Sequence, residues 1–375
     1  MRIAINARLL LRNKLEGIGT FAFETLKRIT AAHPEHEFIY LFDRKPDPSF
    51  ITSSNISAKV IGVPARHPLL WSFWIKRSLP AALKKIKPDI FFSPDGFIPL
   101  DTTVPVLNTI HDINFEYHPE FVSGNVGKFY RKYFPLFATR SSRLITVSAF
   151  SKKTIVERYR VSSEKIDVIP NAAMDDFRPL TETVKTATRQ KWTSGKPYFF
   201  YVGSINRRKN IPGLIAAYSE FRKSGGSGIK LVLAGSEKNI RRADMNIDPQ
   251  FSKDIIFTGT LSHSELHHLL GSALALTYVP FFEGFGIPIL EAMQCGVPVI
   301  TSNCSSMPEV AGGAALLAEP GSIFSICEAM KKMVNDKNLS ESLINKGLEN
   351  AGRFSWDQTA IDVWKCIERV LKENT

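Results

Sequence analysis

The stretch from Leu274 to Thr301 orders an apolar strand, a glycine loop, a helix start and a second strand, and few folds accept that order. Leu274 to Val279 is an apolar run suited to a buried strand, and Gly284, Gly286 and Pro288 keep any helix from starting before Pro288. Glu283 is therefore expected in a loop. Pro288 is a good first helical residue, Ile289, Leu290, Ala292 and Met293 supply apolar helix positions, and Gly296 stops the helix before a strand at 297–301. Glu291 falls in the first helical turns.

Such a strand, loop and helix N-terminus at the carboxyl edge of a parallel sheet present free backbone N–H groups beside a crevice, a setting suited to an anion, phosphate first. Phe285, Gly286 and Ile287 lie at that helix start. Two glutamates touching a phosphate would repel it, so Glu283 and Glu291 are expected to accept hydrogen bonds from hydroxyls, as a sugar and a ribose provide. Anion site and hydroxyl acceptors together point to a nucleotide sugar. The plainer alternative is a glycine-rich turn with solvated glutamates.

Strand-like runs at 3–6, 37–42, 58–63, 89–93, 104–111, 143–148 and 166–170 alternate with helical patterns, which argues a doubly wound parallel sheet. Residues 171–196 are polar without a clean period and read as a linker. A second series follows at 198–203, 229–235, 255–259, 274–279, 297–301 and 314–318, then a last helix at 356–371. A length of 375 residues, 44% of them hydrophobic, fills two such domains.

Glu283 and Glu291 in a Glu-x7-Glu pattern, with Gly-Phe-Gly-Ile-Pro between them and Cys-Gly-Val-Pro-Val-Ile after, resemble the large family of retaining GT-B glycosyltransferases that includes many bacterial mannosyl- and glucosyltransferases. The resemblance implies an α/β protein of two Rossmann-like, doubly wound domains facing across a cleft. Residues 1–170 would bind the acceptor, 171–196 link the domains, 197–355 bind the nucleotide sugar, and 356–375 form a helix crossing back to the first domain. Asn171-Ala172 departs from the family, which usually has glycine after the asparagine.

The same resemblance assigns roles to other residues. Gly17 and Gly19, in a loop at 13–20 ahead of a helix from about Thr20 to Ala32, would face the donor phosphates; alone, Gly-x-Gly is a turn more often than a site. His111, after the strand at 104–111, would contact the transferred sugar. Arg207, Arg208 and Lys209 precede a helix starting near Ile211, where the macrodipole disfavours cations, so a bound anion accounts for them better than solvation does. In the family a lysine at the place of Lys209 and an arginine grip the donor diphosphate. Many members carry that arginine where this chain has Ser204, which leaves Arg208, ahead of Arg207, for the role. Ser204 and Asn210 complete the donor-binding candidates. Leaving-group charge would be met by Arg208, Lys209 and backbone N–H groups without a metal. Retention of configuration is implied by the resemblance alone.

A net charge of +12 leaves nucleic acid, an anionic membrane surface and a polyanionic ligand as partners. No nucleic-acid signature is present, so nucleic acid is not expected. No run approaches a membrane span of roughly 18 apolar residues, and the N-terminus reads as a strand, so a cytoplasmic protein is expected, with peripheral attachment to the inner face of the cell membrane as an extension. The segment 69–87 would serve that attachment through Trp71, Trp74, Lys76, Arg77, Lys84, Lys85 and Lys87, the rival being tryptophans packed on the sheet. Cys295, Cys304, Cys327 and Cys366 show no zinc or disulfide spacing. His263 and His267 share a helix face but lack a third local ligand, and Asp175 and Asp176 are not read as a metal site either. The expected function is retaining transfer of a sugar, mannose first, from a GDP- or UDP-sugar to a glycan or lipid-linked acceptor in bacterial surface polysaccharide, lipopolysaccharide or glycolipid synthesis, with no metal or cofactor. A nucleotide-sugar epimerase and a non-catalytic sugar-nucleotide-binding subunit are the alternatives.

Overall fold

Parallel strands buried on both faces must be apolar throughout, and the apolar runs of this chain pair into two parallel sheets of seven and six strands. The computed structural model describes residues 1–12, 15–237 and 242–374; Asn13 and Lys14 of the expected glycine loop lie outside these. The chain divides into two units, one formed by Met1–Asn171 with Ser355–Thr375, the other by Ala172–Phe354.

In the first unit β1 (Arg2–Asn6), β2 (Glu37–Phe42), β3 (Ile56–Val60), β4 (Ile90–Ser93), β5 (Val106–Thr109), β6 (Arg143–Thr146) and β7 (Ile166–Val168) form a sheet in the order β3-β2-β1-β4-β5-β6-β7. Phe91, Ile110, Phe137 and Leu144 belong to a core cluster that also takes in Trp74 and Ile75. The last helix, Trp356–Glu373, packs on this unit: Arg28 Nε donates to Asp357 at 2.6 Å, Thr359 Oγ1 to Pro170 O at 2.8 Å, and Trp364 stacks on His33 at 3.7 Å.

The second unit pairs β8 (Tyr198–Val202), β9 (Lys230–Ala234), β10 (Ile255–Gly259), β11 (Ala275–Tyr278), β12 (Val299–Ser302) and β13 (Leu316–Ala318) in the order β10-β9-β8-β11-β12-β13. Both sheets are Rossmann-like, with a reversal of strand order at β1/β4 in one and at β8/β11 in the other.

Three expectations need correction. The first helix is Gly17–Ala32, so Gly17 and Gly19 are its first turn rather than a loop before it; first-turn N–H groups have no intrahelical partner in any case, which lets glycine start a helix. The span read as a linker holds a twelve-residue helix, Glu182–Thr193, whose Thr181 caps Val184 N and whose Arg189 Nε donates to Ser272 O at 3.0 Å. Trp71 and Trp74 do not form an interfacial surface. Trp74 is fully buried, and Trp71 donates through Nε1 to Ala65 O at 2.8 Å and stacks on Tyr130 at 5.8 Å.

Candidate functional site

Because strand order reverses between β8 and β11, the loops that follow these strands lie side by side at the carboxyl edge of the second sheet. Phe281 N donates to Arg208 O at 3.0 Å and joins the two loops through their backbones. Across that join Glu283 accepts from Arg208 Nη1 and pairs with Lys209 Nζ at 2.5 Å. Arg208 Nη1 also donates to Phe282 O at 3.0 Å, and the Lys209 ammonium to the Tyr278 hydroxyl. Lys209 is 8% exposed and Glu283 9%; Arg208 is half-buried and Arg207 exposed. The cations ahead of the helix thus have an anion supplied by the chain itself, 75 residues on from Arg208.

The loop after β8 is internally braced. Lys209 N donates to Asn206 Oδ1 at 3.0 Å, Asn206 Nδ2 to Ser204 Oγ at 2.9 Å, and Tyr201 Oη to Ser204 O at 3.0 Å. Asn210 takes the left-handed conformation (φ 59°) ahead of helix Ile211–Lys223, and its buried Nδ2 donates to Pro320 O at 2.7 Å. That amide holds the helix start rather than facing solvent. Tyr201 and Tyr278 lie 6.0 Å apart with nearly parallel rings, and burial raises both phenols well above their usual range, so both stay un-ionised.

Glu283 lies in a loop, as its glycine neighbours imply, and the helix following is Ile287–Gln294. Gly286 caps it at φ 100°, a left-handed conformation that favours glycine, and an added Cβ would also press on Met307 Cε at 2.7 Å. The Ser306 hydroxyl bonds the carbonyls of Glu283 (2.9 Å) and Phe285 (3.1 Å), fixing the loop from below. Phe285 is buried edge-on against Phe354 at 5.8 Å, while Ile287 is half-buried. Glu291 is on the helix, partly buried, and among the described residues no hydrogen bond reaches its carboxylate. Loss of hydration, with the nearby Asp176 charge adding to it, pushes Glu291 up to about 7.

The remaining candidates belong to the first unit. His111 follows β5 by two residues, with its ring edge-on to Phe21 of the first helix at 5.0 Å. Its Nε2 lies 2.9 Å from Pro94 O, an atom that can only accept, so Nε2 carries the hydrogen. Burial lowers the imidazole below its ordinary range, which favours the neutral ring and leaves Nδ1 an acceptor. Pro94 in turn adjoins Asp95, which is buried with Arg8 at 2.8 Å and Asn6 at 2.7 Å where β1 meets β4. Gly19 is buried and closely packed, an added Cβ lying 3.0 Å from Leu9 O; Gly17 is exposed.

Each histidine of the pair has a partner within the chain. His263 Nε2 lies 2.6 Å from Asp176, and His267 Nε2 lies 2.9 Å from Arg178 O. Among the described residues one group could supply three metal ligands, His33, Glu35 and His36, at the turn before β2. Sequence reasoning missed Tyr278, Ser306, Arg8 and Asp95. A polar-tipped aromatic at or next to the carboxyl end of two mostly apolar strands, Tyr201 in β8 and Tyr278 in β11, was the available signal for the first.

Residues 184–350 match the family described as Glycosyl transferases group 1, and residues 15–176 match Glycosyltransferase Family 4. O-antigen chain mannosyltransferase B of Escherichia coli is 29% identical over 92% of this chain and 93% of its own. Among solved structures, sucrose-phosphate synthase from Thermosynechococcus elongatus superposes with a TM-score of 0.80 at 16% identity, covering 100% of both chains. Anabaena HepE in complex with UDP-glucose follows at 0.74 and 15%, covering 98% of this chain and all of its own. Two Rossmann-like sheets, two family matches that between them span most of the chain, and these similarities agree: the chain is a GT-B glycosyltransferase whose residues 184–350 match the glycosyl transferases group 1 family and whose residues 15–176 match glycosyltransferase family 4.

Proposed function

We propose that this glycosyltransferase moves a sugar, mannose first, from a GDP- or UDP-sugar to a glycan or lipid-linked acceptor in surface polysaccharide or lipopolysaccharide synthesis, with retention and without a metal. The observation that carries the reading is the buried grouping of Arg208, Lys209 and Glu283 at the carboxyl edge of the second sheet, beside two helix starts. The mannosyltransferase relative supports the sugar, and the UDP-glucose bound to the Anabaena neighbour supports the donor class.

The second unit would hold the donor and the first the acceptor. As the glycosidic bond breaks, charge grows on the departing diphosphate, and Arg208, Lys209 and helix-start N–H groups would stabilise it in a site of low dielectric. Glu283 would accept from sugar hydroxyls, and Glu291 from the ribose hydroxyls its unbonded carboxylate can take. His111, neutral with Nδ1 as an acceptor, would take a further sugar hydroxyl. Thermal shift against nucleoside diphosphates and their sugars tests the reading. The nucleotide sugar, and more weakly its GDP or UDP, should raise the melting temperature; no shift with any nucleoside diphosphate or nucleotide sugar would overturn it.

A further inference from the structure

One carboxylate, Glu283, holds both cations that a diphosphate at this site would use: it accepts from Arg208 Nη1 and lies 2.5 Å from Lys209 Nζ. The trio, with Arg208 half-buried, lies between two loops pinned to each other by the Phe281–Arg208 backbone bond, and Ser306 holds the carbonyls of Glu283 and Phe285. Glu283 cannot move far, so a diphosphate reaching Arg208 and Lys209 competes with it for the same donors. Two anions sharing two cations in a buried site repel unless one finds other hydrogens to accept.

We propose that Glu283 makes the site distinguish the intact nucleotide sugar from the nucleoside diphosphate left after transfer, by exchanging its bonds to Arg208 and Lys209 for bonds to sugar hydroxyls. The inference rests on the donor reading above. With the intact donor, the sugar supplies hydroxyl hydrogens to the displaced carboxylate. With the bare diphosphate, no hydroxyl reaches Glu283, and a terminal phosphate that ionises again near about pH 6 adds charge beside it. Glu283 then reclaims its cations and the product leaves.

Isothermal titration of the full chain and of Glu283→Gln with GDP-mannose and GDP, and in parallel UDP-glucose and UDP, tests this. The amide keeps the shape and removes the charge. GDP or UDP should bind Glu283→Gln at least about tenfold more tightly than wild type, while the matching nucleotide sugar gains nothing, so the preference for the intact donor shrinks by the same factor. Weakening of both ligands alike, or an unchanged affinity for the diphosphate, overturns the proposal. Should the variant not fold, wild type carries the test. Free mannose added with GDP, or glucose with UDP, should tighten the diphosphate several-fold because its hydroxyls engage Glu283, and no effect overturns the proposal. If wild type binds neither GDP, UDP nor their sugars at millimolar concentration, the donor reading itself falls, a result distinct from equal weakening.

Discussion

Glu291, proposed to bind the ribose hydroxyls, carries a carboxyl whose burial weakens the fold. Its carboxyl is pushed up to about 7 from an ordinary 4.5 by loss of hydration and by Asp176. The folded state thus holds this proton more tightly than the unfolded one, and stability falls as pH rises from 4.5 to 7 and stays low above that. Glu291→Gln should remove the penalty. At pH 8 the variant is expected to be more stable than wild type by up to about 3 kcal/mol, and at pH 4 no more stable. Urea unfolding at both pH values checks this, and equal stabilities at pH 8 would count against a strained carboxylate. The same variant should bind the donor more weakly, by roughly 1–3 kcal/mol for a lost charged hydrogen bond. Glu283 differs, because its charge is balanced by Arg208 and Lys209. Glu283→Gln should abolish most transfer, and it should cost some stability as well, since two cations lose their partner. Wild-type transfer rates in that variant would remove Glu283 from the mechanism.

Among the elements, the helical segment from Pro68 through Ile86 keeps only part of its expected role. Its tryptophans face inward, but Leu69 (78% exposed), Phe73 (47% exposed), Lys76, Arg77, Lys84, Lys85 and Lys87 remain on the surface. Each basic residue near an anionic bilayer contributes on the order of 1 kcal/mol, so this face is expected to bind anionic vesicles reversibly at low salt. Cosedimentation should fall with salt and with Lys84, Lys85 and Lys87 changed to Glu; equal recovery with neutral vesicles would sink the idea. Strands were legible because burial on both faces makes them apolar runs, and their ends were not. The run at 104–111 supplies paired strand only over Val106–Thr109, because pairing depends on the neighbouring strands, a property no single segment carries. Helix Glu182–Thr193 escaped notice because it buries only Thr188 and Thr193 and is anchored by a distant carbonyl. The loop position of Glu283 was readable from its glycines. Its pairing with Arg208 and Lys209 was not, because strand order alone brings those loops together.

At the scale of the whole molecule, both sheets reverse their strand order once, and a buried charge group sits at each reversal: Arg8 with Asp95 in the first unit, Lys209 and Arg208 with Glu283 in the second. The chain's excess of 48 basic over 36 acidic residues favours polyanionic ligands and surfaces. No helix among the described residues is long and apolar enough to cross a membrane. In the proposed mechanism cations of the chain, Lys209 above all, carry the leaving diphosphate without a metal. The most direct test is the initial rate of sugar transfer from the donor that thermal shift identifies, measured in EDTA for wild type, Arg207→Ala and Lys209→Ala. Wild type should keep its rate, Arg207→Ala should lose little, and Lys209→Ala should fall by about 100- to 1,000-fold. A wild-type rate lost in EDTA and restored by magnesium or manganese, or a Lys209→Ala variant as fast as wild type, would contradict it.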